Sequence, residues 1–296
     1  MKTKRTKLAL IGMAVLVLAG LLAAADASQP NRIVVPLSNP AKPARVEVST
    51  LQGSIKVIGY EGKEVIIETS VREKALGKDE DEEAEEMDAE EAQEAAKAQA
   101  KAAGMKKIAL DNTGLTAEES NNVVSVDVES WKRAMDLTLK VPFNSSLKLE
   151  AQNNGTIVVE NVTGELEVEN LNGDITLTNV SGSVTANTLN GDVKVGLNKV
   201  TAAKPMSFST LNGDLDVTFP ADTKANLKIK TERGEVYSDF DIALRQVPQK
   251  STENPKKEGG KFRISLDSAF YGTINGGGPD YQFENFNGNI YLRKKK

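Results

Sequence analysis

Glycine falls at every ninth residue through Gly155, Gly164, Gly173, Gly182 and Gly191. A period held that strictly makes each stretch of chain one rung of a stacked architecture. In register the nonads read GTIVVENVT, GELEVENLN, GDITLTNVS, GSVTANTLN and GDVKVGLNK, with positions three, five and eight nearly always apolar. Ile157/Val159, Leu166/Val168, Ile175/Leu177 and Val193/Val195 are two apart and mostly β-branched, which is the pattern of a strand with one buried face. Alternate nonads differ. Asn154, Asn172 and Asn190 precede one set of glycines, whereas Thr163 and Ser181 precede the other. The true repeat is therefore a double nonad. The expected fold is all-β: a single-domain parallel β-solenoid of about 18 residues and two short strands per coil, with coils about 4.8 Å apart.

Looser copies extend the pattern as LQGSIKV (Leu51–Val57), LNGDLDV (Leu211–Val217), ERGEVYS (Glu232–Ser238) and FNGNIYL (Phe286–Leu292). Extra residues between units can bulge at turns without breaking a stack, so about nine coils and a rod roughly 40 Å long are expected. A hydrophobic fraction of 39% suffices for a core this narrow.

At the N-terminus Lys2, Lys4, Arg5 and Lys7 precede an uncharged run from Leu8 to Leu22 and the small residues Ala23–Ala27. This is the pattern of a secretory signal peptide over 1–27, with cleavage after Ala25-Asp26-Ala27 leaving Ser28 first; an uncleaved anchor is the alternative. No cysteine follows Leu18-Ala19-Gly20 to take a lipid, and the chain has none to form disulfides. The expected address is exported: periplasm, outer surface or medium, with membrane contact only through an uncleaved signal segment.

The remaining chain divides into 28–73, with the first strands and coil, 74–106, an acidic Ala/Glu-rich insertion, and 107–296, the solenoid with an aromatic C-terminal cap. Glu73–Lys101 carries twelve acids against Lys74, Lys78, Lys97 and Lys101, a net of −8 in a chain whose total is −5, so the remainder nets +3; the insertion also breaks the strand pattern. It reads as a helical or disordered excursion, acid first and lysine last as a helix dipole prefers. Its expected role is a solvated insertion; a partner-docking element or loose cation trap is the alternative. The rest of the chain lacks the basic footprint of a nucleic-acid binder.

Three constellations bear on chemistry. Asp174, Asp192 and Asp214 each follow an Asn-Gly pair and should stack along one edge beside Asn172, Asn190 and Asn212. Carboxylates about 4.8 Å apart repel by roughly 0.9 kcal/mol even in water, so such a column needs solvent, partners or a cation such as calcium. The doubled glycine and later aspartate of calcium-binding nonapeptides are missing, and Asn-Gly-Asp is a good turn in its own right. Turn and amide-ladder roles are thus expected, and no resident metal or cofactor. The second constellation is C-terminal: Phe262, Phe270, Tyr271, Tyr281, Phe283, Phe286 and Tyr291. These rings are expected to close the open end of the rod, and Tyr271, Tyr281, Phe286 and Tyr291 form a candidate interaction surface for sugars or an envelope partner. Gly276-Gly277-Gly278-Pro279 between them reads as a turn. In the third, Glu232-Arg233-Gly234-Glu235, arginine and glutamate replace the column asparagine and aspartate, which suggests a salt-bridged pair. The chain has no histidine and no cysteine, so the usual triads and most metal-ligand sets are absent.

The segments PARVEVSTLQGSIKVIGYEGKEVIIETSV, the repeated LNGD units and the closing GTINGGGPDYQFENFNGNIYL together resemble the bacterial putative-adhesin family of β-strand-repeat envelope proteins, a domain of unknown function. They also resemble the head domain of autotransporter adhesins. The resemblance covers roughly 40–73 and 107–296 and implies an exported adhesin-like solenoid. The expected function is non-enzymatic: a binding or scaffold surface at the cell envelope, monomeric, for a protein or glycan partner. The alternatives are a self-assembling structural polymer and, further off, a polysaccharide-active β-helix enzyme.

Overall fold

The computed structural model describes residues 31–72, 114–129, 134–153, 155–244 and 269–296. The signal segment 1–27, the insertion 74–106 and Phe262 lie outside the described residues. Those described are all-β, with no helix among them.

Alternating burial explains the strands. In β8 (Ser145–Asn153) and β15 (Ala225–Arg233) every second side chain is buried, as a two-residue side-chain period requires when one face meets a core. The strands stack into two parallel ladders. The first runs β6 (Val123–Val128), β2 (Ala44–Gln52), β8, β10 (Thr163–Asn172), the second half of β11 (Ile175–Asn190), β13 (Met206–Asn212), β19 (Asp280–Asn287) and β15. The second runs β7 (Met135–Pro142), β3 (Ile55–Tyr60), β9 (Ile157–Glu160), the first half of β11, β12 (Val193–Val200), β14 (Leu215–Phe219), β20 (Ile290–Lys294) and β16 (Val236–Ser238). A glycine turn joins the two strands of every level except β6/β7. The described residues thus build eight two-strand levels, one fewer than the sequence pattern suggested. In the regular centre Ile157, Ile175 and Val193 are in register, one double nonad apart.

Chain order and stacking order part company at both ends. The first pair, β2 and β3, lies between β6/β7 and β8/β9. The last pair, β19 and β20, lies between β13/β14 and β15/β16. Antiparallel strands cover three of the four ladder ends; among the described residues none lies over β16. β5 (Leu115–Ser120) pairs with β6, and β4 (Glu64–Val71) with β7, followed by β1 (Asn31–Pro36). At the far end β18 (Phe270–Ile274) pairs with β15, and β17 (Ala243–Leu244) with β18. Such strands occupy ladder edges that would otherwise offer unpaired amides to another chain.

Aliphatic columns fill the interior. Ile55, Ile157, Ile175, Val193, Leu215 and Ile290 stack at one position and are all fully buried. Each contributes about 1.5–3 kcal/mol relative to exposure. Toward the far end rings replace aliphatics: Phe208 stacks on Phe283 at 5.1 Å and Phe219 on Tyr281 at 5.4 Å between centroids. This corrects the expected aromatic cap. Tyr281 and Phe283 face inward, because they share the register of Met206 and Phe208 on β13, and the strand that carries them is an interior layer.

The two corners of each level treat the eighth position of the nonad differently. At one corner Asn161 and Asn179 adopt positive φ (59° and 56°), and β11 shifts register between Leu177 and Val180. The residue consumed there restores the inward parity of Val162 and Val180, which are fully buried. At the glycine corner strict alternation continues, so Asn170, Thr188 and Thr210 point inward while Leu171, Leu189 and Leu211 point out. The expectation that position eight always belongs to the buried face is therefore correct at one corner only.

Candidate interaction surface

The glycine corner is built from five columns of equivalent residues. Its glycines, Gly53, Gly155, Gly173, Gly191, Gly213, Gly288 and Gly234 in stacking order, approach so closely that a Cβ on any of the last six would lie under 3.0 Å from the carbonyl of the glycine before it. Close backbone approach, rather than the turn alone, sets the eighteen-residue spacing here, and Gly164 and Gly182 meet the same constraint at the other corner, where a Cβ would lie 2.4 Å from the Ser145 carbonyl and 1.8 Å from that of Gly164. At Gly173 and Gly191 a φ near +148° adds a second reason that other residues are disfavoured.

Beside the glycines runs an amide ladder. Asn172 donates to Asn153 (3.4 Å), Asn190 to Asn172 (2.8 Å), Asn212 to Asn190 (2.7 Å) and Asn287 to Asn212 (2.7 Å), each through Nδ2 to Oδ1. The ladder starts at Asn153; Asn154, which the glycine spacing suggests, lies outside the described residues. On the inner side Asn170, Thr188 and Thr210 donate to the carbonyls of Gly155, Gly173 and Gly191 at 2.9–3.0 Å, satisfying buried backbone oxygens.

The aspartate column has a defined occupation. The backbone N–H of Asp192 donates to Asp174 Oδ1 (2.8 Å), that of Asp214 to Asp192 Oδ1 (2.8 Å) and that of Asn289 to Asp214 Oδ1 (2.7 Å). The same device continues as Glu235 N–H on Asn289 Oδ1 at 3.0 Å. Each carboxylate caps the next level's amide where strand pairing is interrupted. Among the described residues no three acidic side chains are grouped so that they could hold a metal ion.

Outside the amide ladder stands an apolar column: Leu171, Leu189, Leu211 and Phe286 are 44%, 40%, 42% and 39% exposed. They occupy equivalent positions on four consecutive levels, each one residue before a ladder asparagine in register with the next. The Arg233 guanidinium lies 5.4 Å from the Phe286 ring centroid, as a cation over an electron-rich face. Across the turn Tyr291 stacks on Tyr237 at 5.2 Å with 9° between planes. Arg293 lies 5.2 Å from the Tyr291 centroid and is held by Asp216 at 2.7 Å. Asn289 Nδ2 donates to the Tyr291 hydroxyl at 3.2 Å, and the Tyr237 hydroxyl donates to Glu235. That bond raises the Tyr237 phenol above its ordinary pKa, because it favours the neutral donor beside a carboxylate.

Of the four aromatic residues singled out in the sequence, Phe286 and Tyr291 share this corner and are at least partly exposed. Tyr271 is half-buried on β18, opposite Lys228 at the end of the first ladder. Tyr281 is fully buried in the core and is no surface residue; the residues on either side of its strand partners face out instead. Arg233 and Glu235 take up Phe286 and Tyr237 respectively, in place of the mutual pair that their spacing suggested. Sequence reasoning missed Tyr237 and the leucine column. Tyr237 was detectable: it follows Gly234 by the same interval that separates Tyr291 from Gly288.

Comparison with known proteins adds a family and two distant folds. The family model Toastrack DUF4097 matches residues 44–269. A putative cell adhesion protein from Clostridium sporogenes ATCC 15579 aligns over 90% of this chain and 100% of its own at 11% identity, with a TM-score of 0.40. A putative adhesin from Bacteroides fragilis NCTC 9343 aligns over 90% of this chain and 97% of its own at 10% identity, with a TM-score of 0.31. No curated protein matches the chain.

Proposed function

Starting from the fact that this chain belongs to the Toastrack DUF4097 family, we propose that it is an exported, non-enzymatic, adhesin-like solenoid whose glycine corner is a binding surface at the cell envelope. The observation that carries this reading is the exposed column Leu171, Leu189, Leu211 and Phe286; the stacked pair Tyr291 and Tyr237 stands across the turn, beyond the asparagine and aspartate columns. A stack needs inward apolar residues to hold together, but it gains little from four large apolar side chains on its outside. Contiguous exposed apolar surface on a rigid scaffold is characteristic of recognition. The amide ladder beside it holds the column at fixed spacing, so little ordering entropy is lost on contact.

The non-enzymatic part of the reading rests on the chain's residue types and on the placement of its acids. Histidine and cysteine are absent, and Asp174, Asp192 and Asp214 already accept backbone amides. Export rests on the basic and apolar N-terminal pattern. A monomeric rod is favoured over an end-to-end polymer because antiparallel strands cover both ends of the first ladder.

The test is binding of the fluorescently labelled full chain to intact cells of the encoding organism from which the protein has been deleted. Wild-type protein is expected to bind saturably, and the double variant Leu189→Asp/Leu211→Asp, with unchanged circular dichroism, to lose that binding. Equal binding by both proteins would overturn the assignment of this corner. Filaments in light scattering would replace the monomer with the polymer.

A further inference from the structure

Tyr237 differs from the other surface rings in having one covered face and one that points along the rod toward its end. Its covered face lies on Tyr291, which is backed by Arg293 and Asp216. Among the described residues strand β16 pairs with β20 alone, so no further described strand of the second ladder lies over Tyr237. The side chain remains 47% exposed although a ring covers one side of it. Its orientation is fixed at two places, by the stack and by the hydroxyl bond to Glu235.

We propose that Tyr237 is a stacking platform for a pyranose ring in a β-linked glycan, at the end of the surface assigned above, and this rests on that assignment. An aromatic face carries partial negative charge, and the axial C–H bonds of an all-equatorial sugar carry partial positive charge, so the two surfaces attract as well as exclude water. A flat ring held rigid before binding suits such a ligand, whose other edges need hydrogen-bond partners. Glu235 supplies one at the ring's rim: its carboxylate takes the Tyr237 hydroxyl through one oxygen and can accept from a sugar hydroxyl through the other, while Asn289, held by the Glu235 N–H and the Tyr291 hydroxyl, fixes the turn beside it. An apolar peptide side chain would use the ring but not this polar rim. Arg293, behind Tyr291, raises the polarity of the stack without occupying the open face.

Two soluble probes separate the sources of such a ring: the hexasaccharides of β-1,4-linked glucose and of β-1,4-linked N-acetylglucosamine. Saturation-transfer NMR with the full chain should place the strongest saturation on axial ring protons of at least one. Tyr237→Ala should weaken that binding at least about tenfold, whereas Tyr237→Trp should retain it, because the larger ring preserves the platform. Tyr291→Ala, which removes the support but leaves Tyr237 in place, should give an intermediate loss. Absence of saturation with both sugars, or equal binding by Tyr237→Ala, would overturn the platform. If cells still bind wild-type protein in a manner sensitive to Leu189→Asp/Leu211→Asp, the platform alone has failed. If that binding is also missing, the assigned surface has failed with it.

Discussion

Asn287 donates its side-chain amide to Asn212 at 2.7 Å across 75 positions of sequence. This bond adds to the strand pairing between the last level in the chain and the regular repeat, and continues a ladder that began at Asn153. Asn212 both donates to Asn190 and accepts from Asn287, so Asn212→Ala removes two bonds from an exposed site. The expected loss is about 1–2 kcal/mol by urea unfolding. Asn212→Asp should cost more than Asn212→Ala, because a carboxylate oxygen would replace the donor facing Asn190 Oδ1. The opposite order would show that the ladder is decoration.

Gly191→Ala would place a methyl under 3.0 Å from the Gly173 carbonyl at a residue whose φ is 149°. A loss of about 3 kcal/mol or more is expected in thermal unfolding. Gly196→Ala is the control. Its nearest neighbour would be the Leu177 carbonyl at 3.8 Å, and the change should be neutral or slightly stabilising.

Much of this was legible in the sequence, and the reason is that stacking makes neighbours of residues at constant separation. The ninth-residue glycines, the inward Ile157, Ile175 and Val193, and the asparagine and aspartate columns all follow from that. Other features depend on information a period does not carry. Nothing in FNGNIYL or ERGEVYS says which lies nearer the end, since both satisfy the same turn chemistry. The outward leucines look like the inward Val162 and Val180 until Asn161 and Asn179 are seen to adopt positive φ and shift the parity at one corner. Tyr281 resembled a surface ring when grouped with nearby aromatics, yet the alternation Tyr281, Phe283, Asn285 already placed it on the buried face.

Asp192→Asn should leave stability nearly unchanged, because a carboxamide oxygen accepts the Asp214 amide as well as a carboxylate does. Asp192→Ala should cost about 1 kcal/mol. Millimolar calcium should shift the melting temperature of the wild type by less than about 2 °C, whereas a site filled at a hundred times its Kd would add about 2.7 kcal/mol. A large calcium-dependent shift abolished by Asp192→Asn would make the column a metal site.

Tyr281 is fully buried, its hydroxyl has no hydrogen-bond partner among the described residues, and burial raises its pKa above the ordinary value. Ionisation is therefore easier in the unfolded chain. The stability tied to the neutral phenol is complete below about pH 10 and is lost as pH rises through the folded-state pKa. Tyr281→Phe is expected to gain up to about 1 kcal/mol at neutral pH by removing an unpaired buried hydroxyl, and to lose less stability above pH 10 than wild type. Parallel pH profiles for the two proteins, followed by circular dichroism, would contradict this.

The interleaving of the terminal levels has a mechanical consequence. A strand at the edge of a ladder can be peeled away one hydrogen bond at a time, but β20 is bonded on one side to β14 and on the other to β16. Tension applied at Lys296 must shear it past two neighbours at once, and β19 is clamped in the same way between β13 and β15. A rod anchored through this end would resist pulling well beyond what its narrow core suggests.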